Sequence, residues 1–469
     1  MDKYSIEKLA VKFILAAAKS VDSRFISLIF ASPLSARSPD VCILWHTGYK
    51  NKHRIKVLMR ALLTVFFSLI KGLRKLLFNN SPFAYALYGN VKETLLVVAS
   101  NCGVPAINNG YSTAYVKKED DDALLVFGPN GSCGHNELIP DGISLKKKIK
   151  IYFILVWIVF MAYIKHYKYG FDAVLLLLTW IEWVFSLHWL QVSLLEDVLS
   201  KIIKEYSIKK VGAIHEMHFY SRVIWRVAFT HKIPGYTVQH AEVTEGKRWY
   251  FTYPEEREHG LMLPSVMYVY NKEILKMLRP YFPGTEFRFG CSSRYVRWKN
   301  VQQEKGGGSY FLFAGALARF DNDILFKALR NIMANKPDDL LVRLRLHKFA
   351  MNSWENKMWL KQKEKNNEIK ISTDENLIDD LKNSSLVVGM STTVLEEAML
   401  LGKPVIQLVC DDFHEYIDIN GIKGALRLEY SELSVEKLLE NSQKEVNSAA
   451  IKHKLGLNET EVNYSVLFE

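Results

Sequence analysis

Three hydroxyl side chains stand close together in the C-terminal part of the chain. The apolar run 386–389 predicts a strand, Ser391, Thr392 and Thr393 follow shortly after it, and the pattern over 393–401 predicts a helix. Backbone N–H groups and hydroxyls that converge at the start of a helix bind phosphate well. This turn is therefore a candidate anion-binding site.

A structural interpretation of the same turn competes with the binding one. Thr393 and Glu396 have the spacing of a capping box, and Gly402 is placed to end the helix. Capping alone would account for these three residues. It leaves the two preceding hydroxyls and Glu397 without a role.

Small and basic residues stand at the ends of two other predicted strands. Gly315 follows the apolar run 310–314, and Arg345, His347 and Lys348 lie at the end of the next strand. An imidazole beside an ammonium group can neutralise a phosphate. A surface pair of histidine and lysine is the alternative interpretation.

A carboxylate and an imidazole follow strands in the N-terminal part. Glu216 comes directly after the strand predicted at 210–215, and His240 ends another predicted strand. Either group could take a proton from a hydroxyl, so Glu216 is predicted as a base or substrate anchor and His240 as its neighbour. A helix-dipole role for Glu216 is the structural alternative. Asp141 and the acidic run 119–122 are rival bases, although such a run is typical of a solvated loop.

The sequence has no recognisable metal motif. Asp411 and Asp412 lie in a predicted loop without a partner motif, and the five cysteines are scattered without CxxC or Cys/His spacing. We therefore expect metal-independent chemistry and reduced thiols, as in a cytosol.

The elements that must position these residues alternate between strand and helix. C-terminal strands are predicted at 310–314, 340–346, 368–371, 386–389 and 404–409, with helices from Asp321 and at 354–365, 375–382 and 393–401. N-terminal strands are predicted at 41–45, 94–100, 123–127, 210–215, 235–239 and 266–270. Near-continuous apolar strands separated by helices indicate parallel sheets covered on both faces, so the predicted fold class is α/β with two Rossmann-like, doubly wound domains.

A glycine-rich stretch divides the chain. A chain of 469 residues is too long for one ordinary core, and 300–309, which includes three consecutive glycines, is typical of a linker. We predict an N-terminal domain over 1–300 and a C-terminal domain over 309–469. Ligands of such domains bind at the carboxyl ends of the strands, in the cleft.

The positive charge is concentrated in one region. The net charge is +11 and the pI is near 9.1, and no acidic residue lies between Asp40 and Glu93. Within that interval, 55–78 predicts a helix with a polar stripe and a broad apolar face; the stripe consists of Lys56, Arg60, Thr64, Ser68, Lys71 and Lys75. This composition is typical of a helix in a lipid interface with anionic head groups. A buried helix with one solvated edge is the alternative.

A second apolar region supports a lipid interface. The uncharged run 151–164 has lysines on both sides but is shorter than a membrane span, and 171–195 is long enough but contains Asp172 and Glu182. Two helices that dock on a membrane are therefore favoured over a spanning segment, and nucleic acid is disfavoured as a partner. Charged residues interrupt the apolar N-terminus, which speaks against a signal peptide and for a cytoplasmic location at the inner face of the plasma membrane.

The segment 385–406 resembles the donor-binding segment of GT-B glycosyltransferases. It has the Ser/Thr-rich turn, a Glu-Ala pair and Gly-Lys-Pro-Val, and it is most similar to bacterial capsule and lipopolysaccharide transferases for Kdo and sialic acid. The resemblance implies that Ser391, Thr392 and Thr393 hold the donor phosphate or sugar carboxylate. It assigns Glu397 to the ribose or an adjacent hydroxyl.

Three shorter stretches resemble the same families. The strand end 343–347 is similar to one in which the histidine contacts the donor phosphate, with Lys348 in place of the usual proline. The stretches 212–216 and 235–241 are similar to a Glu…Gln-His-Gly arrangement, with Ala241 in place of glycine. The resemblance thus implies donor contacts in the C-terminal domain and Glu216 in the other.

The resemblance implies an inverting, metal-independent glycosyltransferase. Its co-substrate would be a nucleotide-sugar, with a CMP-sugar such as CMP-Kdo or CMP-sialic acid favoured, and no further cofactor. Its acceptor would be a surface polysaccharide or a lipid-linked glycan, at an anionic membrane surface. The alternatives are a polyol-phosphate transferase or sugar-nucleotide epimerase of the same fold, and a non-catalytic scaffold in a polysaccharide assembly complex.

Overall fold

The structure is a computed structural model that describes most of the chain. The described residues are 5–19, 26–36, 54–77, 83–88, 93–99, 124–129, 144–213, 216–239, 242–290, 295, 308–316, 319–347, 352–372, 377–410 and 416–457. The predicted strand 41–45 lies outside them.

The chain separates into two compact units. The first consists of Met1–His240, Arg248–Arg294 and Glu461–Glu469, and the second of Ala241–Lys247 and Tyr295–Thr460. The chain therefore enters the second unit briefly after His240 and then returns to the first. The boundary predicted at 300–309 does not include this excursion.

A seven-stranded sheet forms the centre of the first unit. Its strands are β1 (Phe83–Tyr88), β2 (Thr94–Ala99), β3 (Leu124–Pro129), β4 (Lys210–Ala213), β5 (Gly235–Val238), β6 (Val266–Val269) and β7 (Glu286–Phe289), in the order β1-β3-β2-β4-β5-β6-β7. Only the β1–β3 pair is antiparallel among these described strands. The strand order reverses between β2 and β4, and such a switch point is where doubly wound sheets bind ligands.

Ten α-helices are described in the first unit. They are α1 (Ser5–Lys19), α2 (Ile26–Phe30), α3 (Pro33–Ala36), α4 (Arg54–Leu77), α5 (Leu145–His166), α6 (Phe171–Phe185), α7 (His188–Glu205), α8 (Phe219–Thr230), α9 (Pro254–Glu258) and α10 (Lys272–Leu278). The apolar helix α6 packs against α4, α5 and α7. Its Trp180 and Trp183 are fully buried, and its Glu182 accepts a 3.0 Å hydrogen bond from Ser68 of α4. A Cβ at Gly72 of α4 would lie 1.8 Å from the carbonyl oxygen of Phe185, so glycine permits this close packing.

A six-stranded, all-parallel sheet forms the centre of the second unit. Its strands are β8 (Tyr310–Ala314), β9 (Val342–Arg345), β10 (Lys370–Ser372), β11 (Ser384–Gly389), β12 (Val405–Val409) and β13 (Ala425–Glu429), in the order β10-β9-β8-β11-β12-β13. Its helices are α11 (Arg319–Asn335), α12 (Trp354–Lys365), α13 (Leu377–Asn383), α14 (Val394–Leu400), α15 (Val435–Ser442) and α16 (Ser448–Lys454). In order of appearance the strands run 3-2-1-4-5-6, the order of the Rossmann fold.

The predicted fold class is confirmed. Two mostly parallel α/β sheets form in two units, which is the two-domain, Rossmann-like architecture of the GT-B type. The core of the second sheet contains the fully buried residues Phe313, Leu344, Val388 and Ile406. Buried strands of this kind are the near-continuous apolar runs that the sequence pattern detects.

Candidate functional site

The switch point of the second sheet lies between β8 and β11, which pair directly. Gly389 of β11 stands opposite Ala314 of β8, so the residues that follow them share one edge of the sheet. Gly315 follows β8, and the turn Ser391–Thr393 follows β11. Two of the segments predicted for donor binding are therefore brought together at the edge where such sheets bind ligands.

Packing explains why glycine follows β8. The Gly315 N–H donates to the Arg345 carbonyl oxygen at 2.8 Å, and a Cβ at this position would lie 3.0 Å from Oδ1 of Asn322. The Asn322 amide in turn bonds the backbone N–H and C=O of Ala316, both at 3.0 Å. Gly315 thus lets the loop close tightly over the strand end.

The capping interpretation of the hydroxyl turn is wrong in its main part. Thr393 is the N-cap of α14, but its side chain makes no capping hydrogen bond. The Glu396 side chain accepts a hydrogen bond from the Tyr295 hydroxyl at 2.5 Å instead of returning to the N-cap. Gly402 does end the helix, with φ of +77°.

Two of the three hydroxyls are available at the protein surface. Thr392 is buried, and its Oγ1 accepts a 3.4 Å bond from the Val394 N–H. Ser391 and Thr393 are half-buried, and neither side chain has a hydrogen-bond partner among the described residues. Glu397, one turn further on, is fully buried in α14.

The basic residues at the end of β9 have different environments. Arg345 is buried, and its guanidinium donates to Oδ2 of Asp380 at 2.8 Å, while Arg343 donates to Oδ1 of the same carboxylate at 2.7 Å. Arg345 therefore has a structural ion pair whether or not it binds a donor. His347 is half-buried just beyond the strand, and Lys348 lies outside the described residues.

In the first unit, Glu216 follows β4 at that sheet's switch point and is fully buried. Its carbonyl oxygen accepts a 2.8 Å hydrogen bond from the Trp225 indole. Burial raises the pKa of Tyr250 well above its usual value, and the nearby Glu216 carboxylate raises it further. Tyr250 is thus held in its protonated form beside Glu216.

Several predicted residues cannot be placed. His240, Ala241, Lys348, Asp141, Asp411, Asp412 and the acidic run 119–122 lie outside the described residues. The roles predicted for the site residues stay predictions. Within the part of the chain that the structure describes, no group of three or more His, Cys, Asp or Glu side chains could hold a metal ion.

Four buried carboxyl groups of the second unit are absent from the sequence-based site. They are Glu242, Asp321, Asp380 and Glu396. Burial raises the pKa of Asp321 to about 7. The one indication in the sequence that Asp321 belongs near the site is its position in the helix that follows the Gly315 loop. An acidic residue in the first turn of a helix is common, so the sequence pattern alone did not single it out.

The broad apolar faces of α4 and α5 are exposed. On α4 the exposed apolar residues are Ile55, Met59, Leu62, Leu63, Phe66, Phe67, Ile70 and Leu73, and on α5 they are Leu145, Ile149, Phe153, Trp157, Phe160, Met161 and Ile164. We call these two sets the apolar faces of α4 and α5. Phe153 is 67% exposed and Trp157 is 60% exposed.

By length and composition alone, the helical stretch Leu145–Tyr169 could cross a membrane. The helices α6 and α7, which are bent by 58° at the break between them, are together also long and apolar enough.

Solved structures resemble the chain at low identity. No protein-family model matches the sequence, and no curated protein matches it either. The S. aureus MnaA–UDP co-structure aligns with a TM-score of 0.35 and 16% identity over 46% of this chain, which spans 61% of that protein's length. The UDP-GlcNAc 2-epimerase of Methanocaldococcus jannaschii aligns with a TM-score of 0.45 and 14% identity, over 77% of this chain and 97% of the other. The GtfA/B complex aligns with a TM-score of 0.36 and 13% identity, over 59% of each chain. Likenesses of this size assign no activity to this chain.

Proposed function

We propose that the chain is a nucleotide-sugar-dependent glycosyltransferase that acts on an acceptor held at a membrane. The observation that carries the proposal is the hydroxyl turn at the switch point of the second sheet. The side chains of Ser391 and Thr393 form no hydrogen bond with the described residues. Each hydroxyl can donate one hydrogen bond and accept two. A phosphate or carboxylate of the donor is a suitable partner for them.

The proposed chemistry divides between the two units. In the second unit, the hydroxyl turn and His347 would hold the donor and stabilise the leaving nucleotide. In the first unit, Glu216 would take the proton of the acceptor hydroxyl, and His240 is the second residue that we propose for catalysis. A CMP-sugar is the favoured donor on the resemblance of the segment 385–406.

The apolar faces of α4 and α5 support a membrane-held acceptor. Exposed apolar patches of this extent are uncommon on soluble monomers and mark sites of interaction with proteins or membranes. The exposed Lys146, Lys147 and Lys150 at the start of α5, with Lys165 near its end, suit anionic lipid head groups. We therefore propose a location at the inner face of the plasma membrane, with anionic lipid as a partner.

A sugar-nucleotide 2-epimerase is the second candidate. Several of the similar structures are those of UDP-GlcNAc 2-epimerases. An epimerase of a soluble nucleotide-sugar has no need of exposed apolar helices. Incubation with UDP-GlcNAc alone, followed by analysis of the sugar, distinguishes the two candidates. Only an epimerase would convert the sugar to its 2-epimer without an acceptor.

Donor binding tests the proposal directly. The purified chain is mixed with CMP-, UDP-, GDP- and CDP-activated sugars, and its melting temperature is measured. One class of donor should stabilise it, by about 2.7 kcal/mol at a concentration of 100 times Kd. The double variant Ser391→Ala/Thr393→Ala should lose this stabilisation, while Ser442→Ala, a half-buried hydroxyl elsewhere in the same unit, should keep it.

Three results would overturn this assignment. Stabilisation by none of the donors would favour a non-catalytic scaffold. Stabilisation that survives in the double variant would place the donor away from the hydroxyl turn. If the donor binds and UDP-GlcNAc alone is converted to its 2-epimer, the second candidate replaces the first.

A further inference from the structure

Asp321 is a buried carboxyl group whose hydrogen bonding is incomplete. Only 2% of its surface is exposed, and its Oδ1 atom has no hydrogen-bond partner among the described residues. Burial raises its pKa to about 7, and no charged group of the described residues adds to or opposes this effect. A buried polar atom without a partner destabilises the folded state. A role in binding or catalysis, or a bound water, is the usual explanation of such an atom.

The first turn of α11 is attached to the loop that follows β8. The Asn322 side chain bonds both the N–H and the C=O of Ala316, each at 3.0 Å. Ala314 at the end of β8 stands opposite Gly389 at the end of β11. Asp321, which directly precedes Asn322, therefore lies at the same edge of the second sheet as the hydroxyl turn 391–393. Sheets of this kind bind ligands at that edge.

The side chain of Asp321 lies on the face of α11 that packs on the sheet. Asp321, Leu325 and Leu329 are spaced by four residues, so they form one row along the helix. Both leucines are buried in the core of the second sheet together with Phe313 of β8. Helical side chains tilt toward the N-terminus of their helix. The Asp321 carboxyl is therefore directed toward the strand ends and not into the middle of the core.

The chemistry of Asp321 selects the kind of group that it can bind. An ionised carboxylate only accepts hydrogen bonds, so its missing partner is a group that donates one. The phosphate of a nucleotide-sugar is a poor partner, because its oxygens are acceptors and carry the same sign of charge. Each hydroxyl of the ribose or the sugar can donate a hydrogen bond. A hydroxyl of a nucleotide-sugar therefore suits Asp321 better than the phosphate does.

We propose that Asp321 accepts a hydrogen bond from a ribose or sugar hydroxyl of the nucleotide-sugar. The inference rests on the proposed function, because it needs a nucleotide-sugar at the switch point of the second sheet. It adds a residue that binds a hydroxyl to the hydroxyl turn that would hold the phosphate. The bound nucleotide-sugar thus supplies a partner that no described residue gives to Oδ1 of this carboxyl.

Binding measurements on variants of the full chain test the proposal. The probes are CMP-sialic acid, UDP-GlcNAc, GDP-mannose and CDP-glucose, and isothermal titration calorimetry gives the Kd of the probe that binds the wild type. Asp321→Ala should weaken this binding by at least about tenfold, because it removes a hydrogen bond to a charged group. Asp321→Asn keeps a neutral acceptor oxygen and should weaken it by about threefold. The control Asp323→Asn changes a half-buried carboxylate of the same helix and should bind like the wild type.

Thermal melting of the ligand-free variants separates binding from structure. The Asp321 carboxyl has no hydrogen bond to lose at Oδ1, so the melting temperature of Asp321→Ala should not fall below that of the wild type. Weaker binding together with a lower melting temperature in both Asp321 variants would indicate a structural role and overturn the proposal.

The free nucleotide of the probe that binds distinguishes the two sources of the hydroxyl. If Asp321→Ala weakens the binding of the nucleotide and of the nucleotide-sugar equally, the hydroxyl belongs to the ribose. If only the binding of the nucleotide-sugar is weakened, the hydroxyl belongs to the sugar.

Two further results would count against the inference. Wild-type affinity in Asp321→Ala and Asp321→Asn would overturn it and leave the proposed function standing, with a buried water as the partner of the carboxyl. Should Asp321→Ala not fold, wild-type affinity in the isosteric Asp321→Asn overturns it without the other variant. Failure of all four probes to bind the wild-type chain would overturn the proposed function together with the inference.

Discussion

At the scale of single residues, Glu216 of the first unit gives the sharpest test of the proposed chemistry. It has no exposed surface, and Tyr250 beside it is kept protonated by burial and by the carboxylate. The isosteric change Glu216→Gln removes the proposed base and preserves the packing. We expect kcat to fall by about 10²-fold or more, with the donor Kd and the melting temperature nearly unchanged. Tyr250→Phe is the matched control and should reduce kcat less. Unchanged turnover in Glu216→Gln would remove Glu216 from the mechanism.

Asp321 gives a residue-scale prediction about pH. Burial raises its pKa from 3.8 to about 7, so the folded state binds a proton that the unfolded state has released. Its contribution to stability is complete below pH 3.8 and is lost as the pH rises through 7. One pKa unit is worth about 1.4 kcal/mol, so ionised Asp321 costs the folded state a few kcal/mol at pH 8. Asp321→Asn should therefore raise the melting temperature at pH 8.5 more than at pH 6. The exposed Asp339→Asn should show no such difference, and an equal gain at both pH values would exclude the linkage.

The hydroxyl turn illustrates what sequence can and cannot predict about a site. The positions of Gly315 and Ser391 at neighbouring strand ends follow from apolar runs, because parallel strands end at one edge of the sheet. The partner of Glu396 does not follow, since Tyr295 lies 101 positions away along the chain. A capping box is a local sequence pattern. Here the Glu396 side chain bonds the distant Tyr295 hydroxyl instead of the N-cap backbone. The ion pair between Glu242 and Lys454 likewise joins residues far apart along the chain.

At the scale of whole elements, α5 carries the clearest prediction. Its Phe153 and Trp157 form part of its apolar face, and both are mostly exposed. Burial of a large apolar side chain is worth roughly 1.5–3 kcal/mol, so Phe153→Ser/Trp157→Ser should weaken binding to lipid vesicles by at least about tenfold. The melting temperature should not fall. Trp354→Ser is the control, because Trp354 is 76% exposed on α12 of the second unit and lies on neither apolar face. Equal vesicle binding by both variants would refute the lipid-docking role of α5.

Of the four edge strands, the sequence pattern predicted only β10. The prediction for α12 agrees with the observed Trp354–Lys365, and β8 and β11 follow their apolar runs closely. The unpredicted strands β1, β7 and β13 are all at sheet edges. In β7 and β13 charged residues alternate with apolar ones over only four or five positions, which is too short a pattern to stand out. For α4 the sequence left a lipid interface and a buried helix both open, because periodicity gives the apolar face of a helix and not what covers it.

At the scale of the whole molecule, two features are proposed to contribute to membrane binding: the net charge of +11 and the apolar faces of α4 and α5. The salt dependence of binding distinguishes the two contributions. Charge attraction to anionic lipid is worth about 1 kcal/mol per basic residue near the surface, and it is screened beyond roughly 3 Å at 1 M salt. Apolar burial is not screened. Binding to vesicles with anionic lipid should therefore fall by at least about tenfold between 0.05 and 0.5 M salt, and binding to neutral phosphatidylcholine vesicles should be weaker and nearly independent of salt. Co-sedimentation at a series of salt concentrations measures both. If neutral and anionic vesicles bind the chain equally well at low salt, the basic residues make no contribution, and the docking would depend on the apolar faces of α4 and α5 alone.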